Sequence, residues 1–509
     1  MLTTVIGAKC VGIDAIPVTV EVNISSGIGI HLVGLADVAV KESLLRTITA
    51  LQSLNYRIPG KKIVINLAPA DLHKKGSGYD LPIALGIIAA SCQKELPLLD
   101  RFIIMGELGL DGMVRDVPGA LAVMELAAEM GLDGCILPAE SAYETVDYSK
   151  IKIYGVASLS DAIDILQGNS PERFEVKRES LSRSGAFSSG KTIDFSEIVG
   201  QEAAKRGLEI AAAGGHNIIL IGPPGSGKST LAKALAAILP PMGREEALQT
   251  SKIYSVAGKG CEINNGIRPF RAPHASASLT ALIGGGSGNI VPGEISLAHN
   301  GVLFLDEFCE LPKRVTEALR GPMEDRKVAV SRLRTKVEFP ASFMLVAATN
   351  PCPCGFYGDG DRCVCSPAKR LSYISRLSGP MMDRIDIQVV VRRVTSEQLA
   401  VKGKAESSAQ VAERVRIARD IQSQRFAGEN IFTNSEMNIR QIEKYCPLSR
   451  ESSIYLNKIM ESMKLSLRAY HRIVRLARTI ADLEGAQEIS RNHILEASGF
   501  RILDKDSGY

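Results

Sequence analysis

At 509 residues the chain is long enough for two or three domains, each with a core that needs no disulfides. Hydrophobic residues make up 45% and charged residues 23%, the usual balance of a soluble globular protein, and no apolar run reaches the ~18 residues of a membrane span, the longest being 81–92. The net charge of +4 is slight for this length, so only local clustering would argue for nucleic acid, and the start lacks the basic-then-apolar pattern of a signal peptide; a cytoplasmic, membrane-free protein is expected.

Residues 1–169 read as alternating strands and helices. Strands are expected at 18–24, 62–67, 102–105 and 134–138, with helices over 38–54 and 80–90. The words His31-Leu-Val-Gly-Leu-Ala-Asp, Asn66-Leu-Ala-Pro-Ala-Asp-Leu-His-Lys-Lys-Gly-Ser-Gly-Tyr-Asp-Leu-Pro and Gly106-Glu-Leu-Gly-Leu-Asp-Gly resemble the Lon-protease-like (ribosomal S5 domain 2-like) domain, which also ends the bacterial recombination protein RadA. A Lon protease needs a serine nucleophile and a lysine base. Against that pattern the nucleophile position falls on Gly78 and the lysine position near Leu121, with no lysine from Asp116 through Ser149. Ser77 is one place away, and a one-residue slip turns it wrongly. The domain is therefore read as non-proteolytic, a platform for ring assembly or DNA. Residues 170–192 are rich in serine, glycine and charge without a period, and mark a junction, whether mobile or an ordered surface loop.

The next domain is placed at 193–392. Its centre is a run of nine residues, Gly222, Pro223, Pro224, Gly225, Ser226, Gly227, Lys228, Ser229 and Thr230, which matches the phosphate-binding loop G-x-x-x-x-G-K-[ST]. The apolar run 217–221 before it reads as a strand and 231–239 after it as a helix, the context the motif requires. Glycines let backbone N–H groups turn toward a polyphosphate. Lys228 is suited to the β- and γ-phosphates of ATP, and the Ser229 hydroxyl to Mg²⁺.

Downstream, Arg268, Arg271 and His274 lie in an insert read as a candidate DNA contact, and the glycine-rich stretch 282–290 reads as a hairpin inserted into a helix. The apolar run Gly301-Val-Leu-Phe-Leu ends in Asp306 and Glu307. Asp306 is assigned to Mg²⁺ through its waters, and Glu307 to orienting and deprotonating the attacking water. Arg326, Lys327, Arg332, Arg334 and Lys336 interleave with apolar residues against the single acid Glu338. That is a basic β-hairpin, either a pore-facing DNA contact or a solvated face. Scarce aromatic residues there favour backbone tracking over base readout.

A third apolar strand, 343–349, ends on Asn350, in position to touch the attacking water or γ-phosphate. Cys352, Cys354, Cys363 and Cys365 follow as C-x-C, eight residues, C-x-C, a spacing that favours a closed four-thiolate Zn²⁺ site over free thiols. With four protein ligands such a site is structural. Arg384, in Gly379-Pro-Met-Met-Asp-Arg-Ile-Asp386, is read as a finger that completes a neighbouring subunit's site, with Arg376 the rival. Residues 393–509 read as helices at 409–426, 437–445, 450–462, 467–483 and 491–502, forming a lid. Arg468 stands at the start of the fourth, as a second sensor of the γ-phosphate; Arg472 and Arg475 are expected on a solvated face.

The phosphate loop, Asp306-Glu307, Asn-Pro-Cys-Pro-Cys-Gly, Leu-Ser-Gly-Pro-x-x-Asp-Arg-Ile-Asp and Leu-Arg-Ala-Tyr-His-Arg, joined to the Lon-like front, together resemble the YifB/ComM family of Mg-chelatase-like AAA+ ATPases over nearly the whole chain. One departure is visible: His274 is followed by Ala275 where the family often has a second histidine. The resemblance implies an α/β AAA+ core with a helical lid, ATP and Mg²⁺ as cofactors, and a homo-oligomeric ring, hexameric by family habit. It further implies an ATP-driven helicase for branch migration of single-stranded or branched DNA during natural transformation. A metal-chelatase motor subunit and a protein-remodelling ATPase are the alternatives.

Overall fold

Alternation of branched apolar and polar residues builds the first sheet. In strand β2 (Asp14–Ser25), Val18, Val20 and Val22 are fully buried while the residues between them are not. β2 pairs antiparallel with β1 (Leu2–Val11) through a tight turn. With β3 (Gly29–Val33), β4 (Lys62–Ala68), β5 (Phe102–Ile104), β6 (Gly134–Pro138) and β7 (Lys152–Val156) they form a seven-stranded mixed sheet of order β3-β4-β2-β1-β5-β6-β7. Helix α1 (Val38–Ser53) packs on helix α2 (Asp80–Ala90), which lies against β1 and β2 with nearly every residue buried. The close approach needs a glycine: a Cβ on Gly86 would lie 2.7 Å from Val22 Cγ2. Helices α3 (Ala120–Glu129) and α4 (Leu159–Gln167) complete this body.

The computed structural model describes residues 2–34, 38–70, 74, 76–177, 193–262, 266–286, 290–332, 335–394, 406–429, 431–463 and 465–501. Most of the expected junction, 178–192, lies outside them. Its first residues are ordered against the first sheet. Val176 N–H donates to the Ile153 carbonyl at 2.9 Å, and Phe174 and Val176 pack on the first core, so the sheet edge extends past 170. Two apolar side chains within a polar stretch were enough to bind it there.

The second sheet is wholly parallel and has order β9-β10-β13-β8-β14. It comprises β8 (Ile218–Ile221), β9 (Phe270–Arg271), β10 (Val302–Leu305), β13 (Met344–Thr349) and β14 (Ile387–Val390). Its central strands are continuous apolar runs because helices cover both faces. Helices α5 (Glu202–Gly214), α6 (Lys228–Ala234) and α7 (Arg244–Val256) precede β9. Between β10 and β13 the chain throws out an antiparallel hairpin, β11 (Lys327–Arg332) and β12 (Thr335–Pro340), whose Val328, Val330, Val337 and Phe339 are buried. Helix α8 (Pro367–Ile374) follows β13.

Among the described residues, five α-helices close the chain: α9 (Ser408–Arg425), α10 (Ile439–Tyr445), α11 (Arg450–Ser462), α12 (Leu467–Leu483) and α13 (Arg491–Gly499). Each starts at a serine or asparagine cap that accepts a backbone N–H of the first turn. α12 is amphipathic and packs on α5, α9 and α13. Among the described residues no helix is long and apolar enough to cross a membrane.

The first body docks on α7. Lys252 Nζ lies 2.8 Å from Asp14 and 2.6 Å from Glu125, Tyr148 shares a hydrogen bond with Ser251 at 3.1 Å, and Ser255 Oγ donates to Glu144 at 2.7 Å.

Candidate functional site

β8 delivers the chain to a turn that demands glycine. A Cβ on Gly222 would lie 2.2 Å from the Val391 carbonyl oxygen, and Gly225 and Gly227 adopt φ of +76° and +91°. Gly222 N–H donates to the Thr349 carbonyl at 3.1 Å, which ties the turn to the end of β13. Lys228, only 8% exposed, then opens α6. Its Nζ donates to the carbonyls of Gly222 (2.7 Å) and Pro223 (3.0 Å) and to Asn350 Oδ1 (3.3 Å). These acceptors are neutral. Burial lowers the lysine pKa, and the charges of Asp306 and Glu307 partly oppose that shift. A desolvated ammonium with neutral acceptors is a standing attraction for an anion.

Ser229 Oγ donates to Asp306 Oδ2 at 2.9 Å, so hydroxyl and carboxylate stand side by side beyond the ends of β8 and β10. The other carboxylate oxygen accepts the Glu307 N–H at 2.9 Å. Glu307 itself has φ of +50°, a left-handed turn anchored by the buried Phe308 and Cys309, and its side chain is exposed. Ser226 Oγ is buried with no hydrogen-bond partner among the described residues. The set fits a Mg²⁺-nucleotide: an unspent cation and an orphaned hydroxyl for phosphate oxygens, and an adjacent oxygen pair for the hard cation. Thr230 and Pro224 are exposed at the rim.

Profiles of the magnesium chelatase subunit ChlI match residues 194–399 and 20–141, and the ChlI carboxy-terminal profile matches 405–501. The chain is 42% identical over 506 residues to the competence protein ComM of Haemophilus influenzae, covering 99% of this chain and 98% of that one. It belongs to the YifB/ComM family of Mg-chelatase-like ATPases. YifB of Escherichia coli is also 42% identical, over 500 residues, covering 97% of this chain and 96% of that one. The replication licensing factor mcm6 of Dictyostelium discoideum is a distant relative, 23% identical over 336 residues, which is 60% of this chain and 34% of that one.

Beside the nucleotide constellation of this YifB/ComM-family chain, the four cysteines converge. Their Sγ atoms all lie within 4.8 Å of one another, with Cys352–Cys354 at 3.3 Å and Cys363 at 3.8 Å from each. Tetrahedral zinc with Zn–S near 2.3 Å requires sulfurs about 3.8 Å apart, whereas a disulfide needs about 2.05 Å. Backbone N–H donation, first from Phe356, lowers the Cys354 thiol to about 6, and burial pushes Cys352 up to about 12. The donor set and spacing fit a structural zinc ion.

The arginines fall elsewhere. Arg384 is 9% exposed; it pairs with Glu324 and donates to the carbonyls of Arg320 (3.1 Å) and Pro380 (2.6 Å). Arg376 is 54% exposed and lies 2.7 Å from Glu310. Arg468 is 67% exposed and 4.0 Å from Asp383, the neighbour of Arg384 in sequence. Arg468 therefore lies beside the turn that carries Arg384, whose own side chain is buried against Glu324.

Three expectations need correction. Arg472 and Arg475 are not on a solvated face: Arg472 Nη1 donates to buried Asp386 at 3.1 Å, and burial lowers the Arg475 pKa. Arg268 and Arg271 of the insert are committed to Glu246 (2.9 Å) and Glu294 (2.7 Å), so they are not free for DNA. Arg326 stands apart from the hairpin cations; it donates to Ser342 at 2.8 Å and pairs with Glu436 at 3.4 Å. Lys327 and Lys336 are exposed and flank Glu338. Arg334 and the Arg332 side chain lie outside the described residues. Sequence reasoning missed Glu324, Glu436 and Arg393, because lone charges carry no local pattern.

Proposed function

We propose that this chain is an ATP-driven DNA motor that works as a homo-oligomeric ring, hexameric as in its family. Lys228 and the 222–227 turn bind the phosphates, Ser229 and Asp306 hold Mg²⁺, Glu307 activates water and Asn350 senses the γ-phosphate. Arg384 completes the site of the next subunit once it leaves Glu324, and Arg468 contacts the γ-phosphate of its own or an adjacent subunit. The observation that carries the motor reading is the place of the β11–β12 hairpin. It springs from the chain between Asp306-Glu307 and the strand that ends on Asn350. Two short helices and strand β13 link its two roots to the catalytic acids and to Asn350, and exposed Lys327 and Lys336 offer charge to a DNA backbone. The relative named for competence points the same way.

The chain is proposed to divide into a non-proteolytic Lon-like front (1–169), a junction (170–192), an AAA+ core with a zinc turn (193–392) and a helical lid (393–509). The non-proteolytic reading is supported by the chemistry of the site: Gly78 offers no hydroxyl, the lysine position Leu121 is buried, and Ser77 donates to Glu107 rather than to an amine.

Strand displacement on forked and four-way DNA, with Glu307→Gln as the inactive control, tests the motor. Failure to move either substrate while hydrolysing ATP rejects it. The ChlI profiles favour a metal-chelatase motor as the second reading; ATPase stimulation by a partner protein but not by DNA would select it.

A further inference from the structure

The four-cysteine turn is not separate from the phosphate loop. Gly355, with φ of +83°, lies against Pro224: an added Cβ would be 2.9 Å from Pro224 Cδ. Arg393, three residues past β14, spans the same gap. Its Nη2 donates to the Pro224 carbonyl at 3.2 Å, and its Nε lies 3.2 Å from Asp359 Oδ2. Its guanidinium also faces the Phe356 ring, 5.9 Å from the centroid. Phe356 and Asp359 both belong to the eight residues between the cysteine pairs. The turn starts just after Asn350, itself hydrogen-bonded to Lys228.

The turn's own bonds are local: Gly355 N–H donates to the Cys352 carbonyl at 2.9 Å, Asp359 N–H to the Phe356 carbonyl at 3.0 Å, and Arg362 lies 3.5 Å from Asp359. Gly355, Gly358 and Gly360 all have positive φ, +83°, +83° and +61°, so the open chain has unusual freedom to lose. Closure by a metal is what would present Phe356 and Asp359 to Arg393.

We infer that Arg393 is a positioning residue that couples the metal state of the four-cysteine turn to nucleotide affinity at the phosphate loop. With the turn closed, Asp359 and Phe356 orient the guanidinium, which then fixes the Pro224 carbonyl and the curvature of the loop that receives the phosphates. With the turn open, Arg393 loses its orienting partners and Pro224 loses its clamp. The inference rests on the reading of 222–230 as a nucleotide site.

The test uses the full chain, zinc analysis, and equilibrium binding of a fluorescent ADP analogue, before and after chelation. Chelated wild type should bind roughly ten- to hundredfold more weakly, the loss of a charge-assisted hydrogen bond, and regain affinity when zinc is restored. Arg393→Ala should keep its zinc, start at the weakened affinity, and show no further loss on chelation. Cys363→Ser should behave like chelated wild type without exposure to chelator. Nucleotide affinity that ignores zinc, a wild type that takes up no zinc, or an Arg393→Ala protein with the full zinc response would each overturn the inference. Absence of nucleotide binding by zinc-loaded wild type would instead reject the nucleotide site, and the coupling with it.

Discussion

Asp386 is a buried hub, 6% exposed, where the lid meets the core. Its carboxylate accepts Arg472 Nη1 at 3.1 Å and the Asn217 N–H at 3.2 Å, and lies 3.4 Å from His216 Nδ1. Burial opposes its ionisation, but adjacent His216 and the charges of Arg472 and Arg475 hold its carboxyl far below the usual range. The Nε atoms of both arginines are buried without hydrogen-bond partners among the described residues, so this carboxylate is their main compensation. Asp386→Asn keeps the shape and deletes the charge. Leaving buried cations without their anion costs about 3–5 kcal/mol. The chain has several cores, so a single unfolding midpoint would blur the effect. Amide hydrogen exchange resolved by element is the better assay. Protection of α12 should fall roughly 10²- to 10⁴-fold, while α2, in the other body, should not change. Arg472→Met added to Asp386→Asn should restore part of it. The sign with pH follows from the depressed pKa: the stabilisation is complete above the unfolded value near 3.9, and is lost as pH falls below it toward the folded value. Wild-type α12 should therefore lose protection in acid below about pH 4, and the variant should have little left to lose. Exchange at α12 unchanged within about threefold, or an equal change at α2, would refute the account.

Glu307→Gln should bind nucleotide as wild type does and lose about 10²–10⁴ in hydrolysis, measured by phosphate release; a comparable loss of affinity would place Glu307 in binding instead. Asp80 is buried beside Ser43, Arg46 and the Leu108 N–H, and burial raises its carboxyl to about 6. Because the folded state binds that proton more tightly than the unfolded state, its contribution to stability declines by on the order of 2–3 kcal/mol as pH rises from about 4 to above 6; exchange at α2 should show this slope and Asp80→Asn should flatten it. Lys327→Glu with Lys336→Glu should weaken single-stranded DNA binding and reduce the salt slope by about 0.7 for each phosphate no longer neutralised, as read by fluorescence anisotropy across a salt series. Gly78→Ser should create no peptidase activity, because buried Leu121 stands where the lysine base would be needed; casein cleavage by that variant would refute the non-proteolytic reading.

Some of this protein was settled by chemistry confined to a few neighbouring residues. The phosphate turn was legible because Gly225 and Gly227 need positive φ and Gly222 must pass under the Val391 carbonyl, demands that a side chain would violate wherever the loop sat. The basic hairpin was legible from two-residue alternation, and the cysteine turn from its spacing. The fate of the charges was not. Arg472 and Arg475 sit at positions that suit a solvated helix face; they are buried because α12 docks where Asp386, 86 residues before Arg472, awaits them. Arg326 belongs to Glu436, Arg384 to Glu324, and Arg393 bridges Asp359 and Pro224, each across a distance in sequence that no local pattern spans. A charge shows its partner only when packing removes the water between them, and that desolvation is a property of the assembled fold.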